Sequence, residues 1–456
     1  MTRPFARVDR HHRTRVAAAV TAVTLFAACA GSSAKTTKSS SSTAQAATTA
    51  APVPSSTTGA PATTTATTVN AGAATTVTSA GAAASTGTYP RVGPDGDAFY
   101  TPPTPLPGAT PGDLIWYRPI AVDGGKGYTI LYRSTAIDGS SVAVSGTVIV
   151  PSAPSATENR SILAWAHGTT GLGDSCATSR RFATGNPDEA TLVDFVVQAG
   201  LLFVATDYQG LGTPGDHAYV MNLAEGRNVL DSVRAALQLP GTGATGASKT
   251  VIWGHSQGGG AAALAAELKP TYAPELNIAG AMAGAPAGDL EGVGAALDGN
   301  GFFGYMMMAT VGLAAAYPKI DVKAKLTPAG AQIFDQIRTQ CSTDIIKTLA
   351  GKTAADYLVP GLATDPAVTA ALKENSAGYL KTDVPIFLYQ GDADEQVPVA
   401  VSKTMFDRYC AIGNVVERKV YPGQDHVGVI FAAVTDLATW LNDRLNGQPA
   451  TSTCSA

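Results

Sequence analysis

The sequence predicts an α/β fold, a mostly parallel sheet flanked by helices with a helical cap inserted late in the chain. From Tyr89 onward, short continuous apolar runs alternate with helical stretches, the pattern of strands buried on both faces of a parallel sheet. One run, Thr250 to Trp253, leads into Gly254-His255-Ser256-Gln257-Gly258 and then an alanine-rich helical stretch, Ala261 to Lys269. After Pro286 about a hundred residues pass before the next strand signal, far beyond an ordinary connection.

Composition narrows the function classes. The chain has 456 residues, 45% hydrophobic and 14% charged, enough for a large core plus additional segments. A formal charge of −4 offers no basic surface for a polyphosphate backbone, so nucleic acid is not expected as a partner. No C-x-x-C or H-E-x-x-H spacing occurs, and no metal or other cofactor is expected.

Residues 1–29 read as a signal peptide: Arg3, Arg7, Arg10, Arg13 and Arg15 precede the uncharged run Val16 to Ala28, which is too short to span a bilayer comfortably. Cys29 follows Phe26-Ala27-Ala28, which resembles the lipobox of bacterial lipoproteins and marks Cys29 as a lipidation candidate; ordinary cleavage after Ala30 is the alternative. Residues 30–88 are rich in Ser, Thr and Ala, a composition that buries too little apolar surface to offset the entropy of ordering. They read as a disordered linker, which after an acylated Cys29 would tether the chain to a membrane. Removing the leader through Cys29 takes away five Arg and one Asp and moves the formal charge from −4 to −8.

The folded part divides into a core of residues 89–288 and 382–456 and a helical cap, or lid, of residues 289–381. Leu114 to Ile120 and Tyr128 to Val150 alternate apolar and polar residues around Asp138-Gly139, as antiparallel strands at a sheet edge do. The main strands are expected at Ile162 to Ala166, Leu201 to Thr206, Thr250 to Trp253, Ile278 to Ala283, Ile386 to Tyr389 and Val415 to Tyr421. Within the cap, Phe302 to Tyr317 is an apolar run and Thr327 to Ala350 has apolar residues at helical intervals. Met306, Met307 and Met308 are adaptable thioethers suited either to an acyl-chain surface or to a plain helix core. Gly241 to Thr250 looks superficially like a phosphate-binding loop, but Lys249 is displaced from the required frame and a strand follows, so it reads as a surface turn.

Chemistry concentrates at strand ends. In G-x-S-x-G the small residues two before and two after the serine allow a sharp strand-to-helix turn, which projects the Ser256 hydroxyl above the sheet as a nucleophile. Its base must be an imidazole, and beyond the leader only His167, His217, His255 and His426 exist. His426 alone lies downstream of the serine, in a loop after the last strand, where chain order Ser, Asp, His places a base. The carboxylate that orients it is expected at Asp394, with Asp392, Glu395 and Asp289 as competitors. Negative charge on the attacked carbonyl calls for fixed N–H donors. These are expected from Gln257 and from Thr169 in His167-Gly168-Thr169-Thr170-Gly171. Cys176, Cys341, Cys410 and Cys454 can oxidise in an exported chain and allow three pairings.

Together these residues resemble an α/β-hydrolase, and specifically the secretory lipases of the lipase A type, known from fungi and actinobacterial exported proteins. The resemblance covers roughly Pro111 to Asn446. It rests on Gly254 to Gly258, on Gly391 to Pro398 read as G-x-x-D-x-x-V-P, on His426, on Cys176-Ala177-Thr178-Ser179 and on Asp207 to Gly212. Gln257 stands where a small residue is usual. The resemblance implies Ser256, Asp394 and His426 as a triad under a helical cap, and a segment after the oxyanion loop tied to that cap. That pairs Cys176 with Cys341 and leaves Cys410 for Cys454. The function expected is an exported serine hydrolase of carboxylic esters of lipids or acylglycerols. Acyl transfer or peptide cleavage by the same triad, and non-catalytic binding of lipid or cell wall, are the alternatives.

Overall fold

The computed structural model describes residues 91–155, 158–187 and 189–455. The leader through Cys29, the linker of residues 30–88 and the start of the core at Tyr89 lie outside the described residues. Among those described, the strands are β1 (Arg91–Val92), β2 (Leu114–Ile120), β3 (Gly125–Thr135), β4 (Ser141–Pro151), β5 (Ile162–Ala166), β6 (Leu202–Thr206), β7 (Thr250–His255), β8 (Ile278–Gly284), β9 (Ile386–Gly391) and β10 (Val416–Tyr421). They form one sheet in the order β1-β2-β3-β4-β6-β5-β7-β8-β9-β10.

The expected antiparallel edge is present. β3 and β4 pair from Thr135↔Ser141 to Gly125↔Pro151, and the turn between them uses Gly139 at φ 85. β4 joins the body of the sheet by antiparallel pairing with β6, and from β6 through β5, β7, β8 and β9 to β10 every pairing is parallel. Strand β1, too short to leave a periodic signal, pairs parallel with β2. The chain reverses direction around β5, and a crevice outside the carboxyl ends of parallel strands at such a switch is where α/β sheets bind ligands.

Alternation divides the core into two faces. Ile162, Ala164, Ala166, Leu202, Val204 and Ile252 pack beneath the helices Asn222–Ala236 and Gln257–Tyr272. Leu163, Trp165, Phe203, Val251 and Trp253 face the other way, with residues of helices Ala190–Gln198 and Val434–Leu445. The alanine run of Gln257–Tyr272 permits close helix contact: a Cβ placed at Gly226 would lie 2.8 Å from the Ala265 nitrogen. A large side chain at either position would separate the helices and open voids in a close-packed layer.

Between β8 and β9 the chain folds as helices, Leu290–Leu297, Gly304–Ala316, Pro328–Ile337, Ser342–Leu349, Ala354–Tyr357 and Pro366–Glu374. Phe303, Met307, Met308, Val311, Phe334, Ile337 and Ile345 are buried in a second cluster, shared with Leu172, Tyr219, Met221 and Val397 from outside the insertion. The stretch Thr327 to Ala350, with its apolar residues at helical intervals, forms two helices, Pro328–Ile337 and Ser342–Leu349. Thr327 caps the first by accepting from the Gly330 N–H, and the break at residues 338–341 brings Cys341 into an antiparallel bridge with Gly171. The disulfides are Cys176–Cys341, Cα atoms 5.6 Å apart, and Cys410–Cys454, 5.5 Å apart.

Candidate active site

Strand β7 ends at His255, and Ser256 follows at φ 61, ψ −121 before the helix Gln257–Tyr272 begins. A non-glycine residue there is strained, and the surroundings hold it in place. The Ser256 N–H donates to Gly284 O at 2.9 Å, and its carbonyl accepts from Ala287 N at 3.0 Å. The two flanking glycines are steric requirements: a Cβ at Gly254 would clash with the Gly258 carbonyl, and one at Gly258 with the Ala166 carbonyl. The bend therefore presses against the end of β5, and a Cβ at Gly168 would lie 3.9 Å from that of Ser256.

The loops after β9 and β10 bring Asp394 and His426 together, both buried. His426 Nδ1–H donates to Asp394 Oδ2 at 2.7 Å. The carboxylate is further held by Gln390 Nε2–H on Oδ2 at 2.9 Å, and by the Gln396 and Val397 N–H groups on Oδ1 at 2.9 Å each. The competitors are placed elsewhere. Asp289 pairs with Arg408 at 2.8 Å, Asp392 accepts from the Gly423 N–H, and Glu395 is exposed.

His255 joins the two halves. Its Nε2–H donates to the carbonyl of His426 at 2.9 Å, and the two rings lie 4.8 Å apart. With that proton on Nε2, Nδ1 accepts from the Tyr389 hydroxyl at 3.3 Å, and Tyr389 Oη accepts from Trp253 Nε1–H at 3.0 Å. Burial, followed by the proximity of His426, holds the His255 pKa well below 6.5, so this ring is neutral.

Thr169 lies on the loop leaving β5. Its hydroxyl meets Tyr219 Oη at 2.8 Å, and the neighbouring carbonyl of Thr170 accepts from the Ser342 N–H at 2.9 Å. The Leu172 N–H donates to Gln340 O at 2.9 Å, so a short antiparallel clamp and the Cys176–Cys341 disulfide both bind this loop to the inserted helices. Asp207 secures the same segment by accepting from Ser145 Oγ at 2.6 Å, Thr178 Oγ1 at 2.9 Å and Ser179 N at 2.8 Å. As the first residue of its helix, Gln257 has an N–H with no intrahelical acceptor.

Ser256 and Gln257 line a cavity of about 920 Å³, walled by Leu290, Val293, Met306, Ala309, Leu313 and Leu358. Met306 faces the cavity, whereas Met307 and Met308 are buried packing. Sequence reasoning did not find Glu225, His217, Tyr219 or Tyr389 as parts of this site. They carry no motif: only the fold brings Glu225, His217 and Tyr219 to Ser256 and Gln257, and Tyr389 to His255.

The description "secretory lipase" belongs to the family model that matches residues 182–453. The chain is 26% identical over 381 residues to a probable inactive lipase of Mycobacterium tuberculosis, covering 78% of this chain and 84% of that protein. It is 27% identical over 399 residues to Lipase 5 of Candida albicans, covering 79% and 83%. Among solved structures, Candida antarctica lipase A in its closed state superposes with a TM-score of 0.70 at 23% identity, covering 78% of this chain and 87% of that one. This likeness establishes the α/β-hydrolase fold.

Proposed function

Because the chain belongs to the secretory lipase family, we propose that it hydrolyses carboxylic esters of lipids through an acyl-enzyme on Ser256. The observation that carries this reading is the His426–Asp394 pair, 2.7 Å apart, fastened through His255 to the strained bend that presents Ser256 to the cavity. Ser256 Oγ attacks the ester carbonyl carbon while His426 Nε2 accepts its proton, and the Asp394 carboxylate stabilises the imidazolium formed. The carbonyl oxygen takes the negative charge and accepts from the N–H groups of Thr169 and Gln257. Collapse breaks the bond to the alcohol oxygen, which leaves with the proton from His426. Water activated by the same imidazole then releases the acid and restores the serine.

The inserted helices act as a cap whose apolar wall receives the acyl chain. Glu291 and Asp298 are the charged residues on that wall, which favours an uncharged chain over an anionic group. The reading includes export, with Cys29 acylated as a membrane tether. Equal partition of wild type and Cys29→Ala into a detergent phase would remove the tether and leave free secretion.

One relative bears the name of an inactive lipase, so the test must separate hydrolysis from binding. Purified chain is treated with a fluorophosphonate, and turnover is followed on p-nitrophenyl esters of increasing acyl length. Labelling that vanishes in Ser256→Ala, and turnover that vanishes in His426→Ala, are expected. A wild type that is neither labelled nor active would make the protein a lipid-binding module.

A further inference from the structure

The second wall of the site contains a buried polar cluster that the hydrolytic steps above do not use. Glu225 lies in the first turn of helix Asn222–Ala236 and is completely buried. Its Oε1 accepts from Gln257 Nε2–H at 2.6 Å and from the Val220 N–H at 2.9 Å. The other proton of the Gln257 amide goes to His217 Nε2 at 3.0 Å, a nitrogen left free to accept because His217 Nδ1–H donates to Gln209 O at 2.9 Å. The residue after Ser256 is thus pinned by two acceptors that its own helix does not supply.

The same carboxyl reaches the opposite loop. Val220 is held at φ 53, a conformation that β-branched residues avoid, and its N–H is bonded to Glu225. Adjacent Tyr219 places its hydroxyl 2.8 Å from Thr169 Oγ1. We propose that Glu225 is a positioning residue that fixes both oxyanion donors, Gln257 directly and Thr169 through Val220 and Tyr219. This rests on the reading of those two N–H groups as the oxyanion hole.

Two further facts agree. Among the described residues Glu225 Oε2 has no hydrogen-bond partner, and a buried unsatisfied oxygen destabilises the fold, so packing alone gives no reason for a carboxyl here. Burial pushes Glu225 up to about 8 and His217 down to about 3, leaving both neutral near pH 7. An uncharged network can orient N–H donors without opposing the negative charge they must stabilise.

The test uses the full chain as wild type, Glu225→Leu, Glu225→Gln and Tyr219→Phe, measuring kcat and KM on p-nitrophenyl butyrate, the phosphonylation rate at Ser256, and thermal unfolding. Glu225→Leu removes the shared acceptor and is expected to lower kcat and phosphonylation about 10- to 100-fold with KM within about threefold. Tyr219→Phe should lower kcat about 3- to 10-fold, and Glu225→Gln, which keeps an acceptor oxygen, should recover to within about threefold of wild type. A folded Glu225→Leu with wild-type kcat, a Glu225→Gln no better than Glu225→Leu, or a Tyr219→Phe with wild-type kcat overturns the proposal. Should Glu225→Leu aggregate, Tyr219→Phe decides alone. Absence of phosphonylation in the wild type sinks the hydrolase reading itself, whereas a labelled wild type with unaffected variants sinks only the role of Glu225.

Discussion

His255 Nε2 and the carbonyl oxygen of His426 are 2.9 Å apart, so the residue before the serine holds the backbone of the loop that carries the imidazole. The two loops come from strands separated in the sheet by β8 and β9. The bond ties the two loops directly, in addition to the strand pairing between them. The Trp253–Tyr389–His255 series sets the tautomer that makes this bond available.

Replacing His255 by Phe keeps a ring in the same space and removes the donor. It is expected to lower kcat about 10- to 100-fold with little change in KM, and His255→Gln should recover part of the loss because an amide can donate to the same carbonyl. Equal kcat in His255→Phe and wild type would leave the contact purely structural.

Asp394→Asn is expected to lower kcat by about 10⁴-fold, because an amide cannot stabilise the imidazolium and favours the wrong tautomer. Asp392→Asn and Glu395→Gln, both exposed and outside the hydrogen-bonded pair, should stay within about threefold of wild type. Steady-state kinetics on one ester separates the three carboxylates.

Stability should fall as the solution becomes alkaline. Burial raises the Glu225 carboxyl from its ordinary 4.5 to about 8, so between those values the folded chain binds a proton that the unfolded chain has lost. This contribution is fully present below 4.5 and is lost as pH rises through about 8, with a slope of at most about 1.4 kcal/mol per pH unit. Urea unfolding at a series of pH values between 5 and 9 should show this slope in wild type and a shallower one in Glu225→Gln.

The two disulfides should differ in their effect on activity. Cys176–Cys341 closes a sequence separation of 165 and fastens the loop bearing Thr169, whereas Cys410–Cys454 closes 44 residues near the C-terminus. Each Cys→Ser variant should lose about 2–5 kcal/mol of stability. Only Cys176→Ser or Cys341→Ser, which break the first bridge, should also lower kcat, by about tenfold, in protein that remains folded at the assay temperature.

Filling the cavity should shorten the preferred ester. Ala309→Trp puts an indole into the apolar wall, and the ratio of kcat/KM for long over short p-nitrophenyl esters should fall by about tenfold or more. An unchanged acyl profile would place the chain elsewhere.

The sequence by itself determined the local geometry at Ser256, because glycines at 254 and 258 in a strand-to-helix context leave the backbone few other paths. It also determined the alternating strands, whose apolar runs record burial on two faces, and the helical character of residues between β8 and β9. Asp394 could be ranked above its competitors only loosely until the fold turned Asp289 toward Arg408 and Asp392 toward Gly423. Tertiary structure alone decided where Thr327 to Ala350 breaks, because the interruption serves a bridge to Gly171, 170 residues earlier in the chain. It also decided where His255, Tyr219 and Glu225 lie relative to Ser256 and Gln257. A hydrogen bond between distant segments leaves no periodicity or spacing in the chain, since each partner needs only the right atom at the right place once the sheet has assembled.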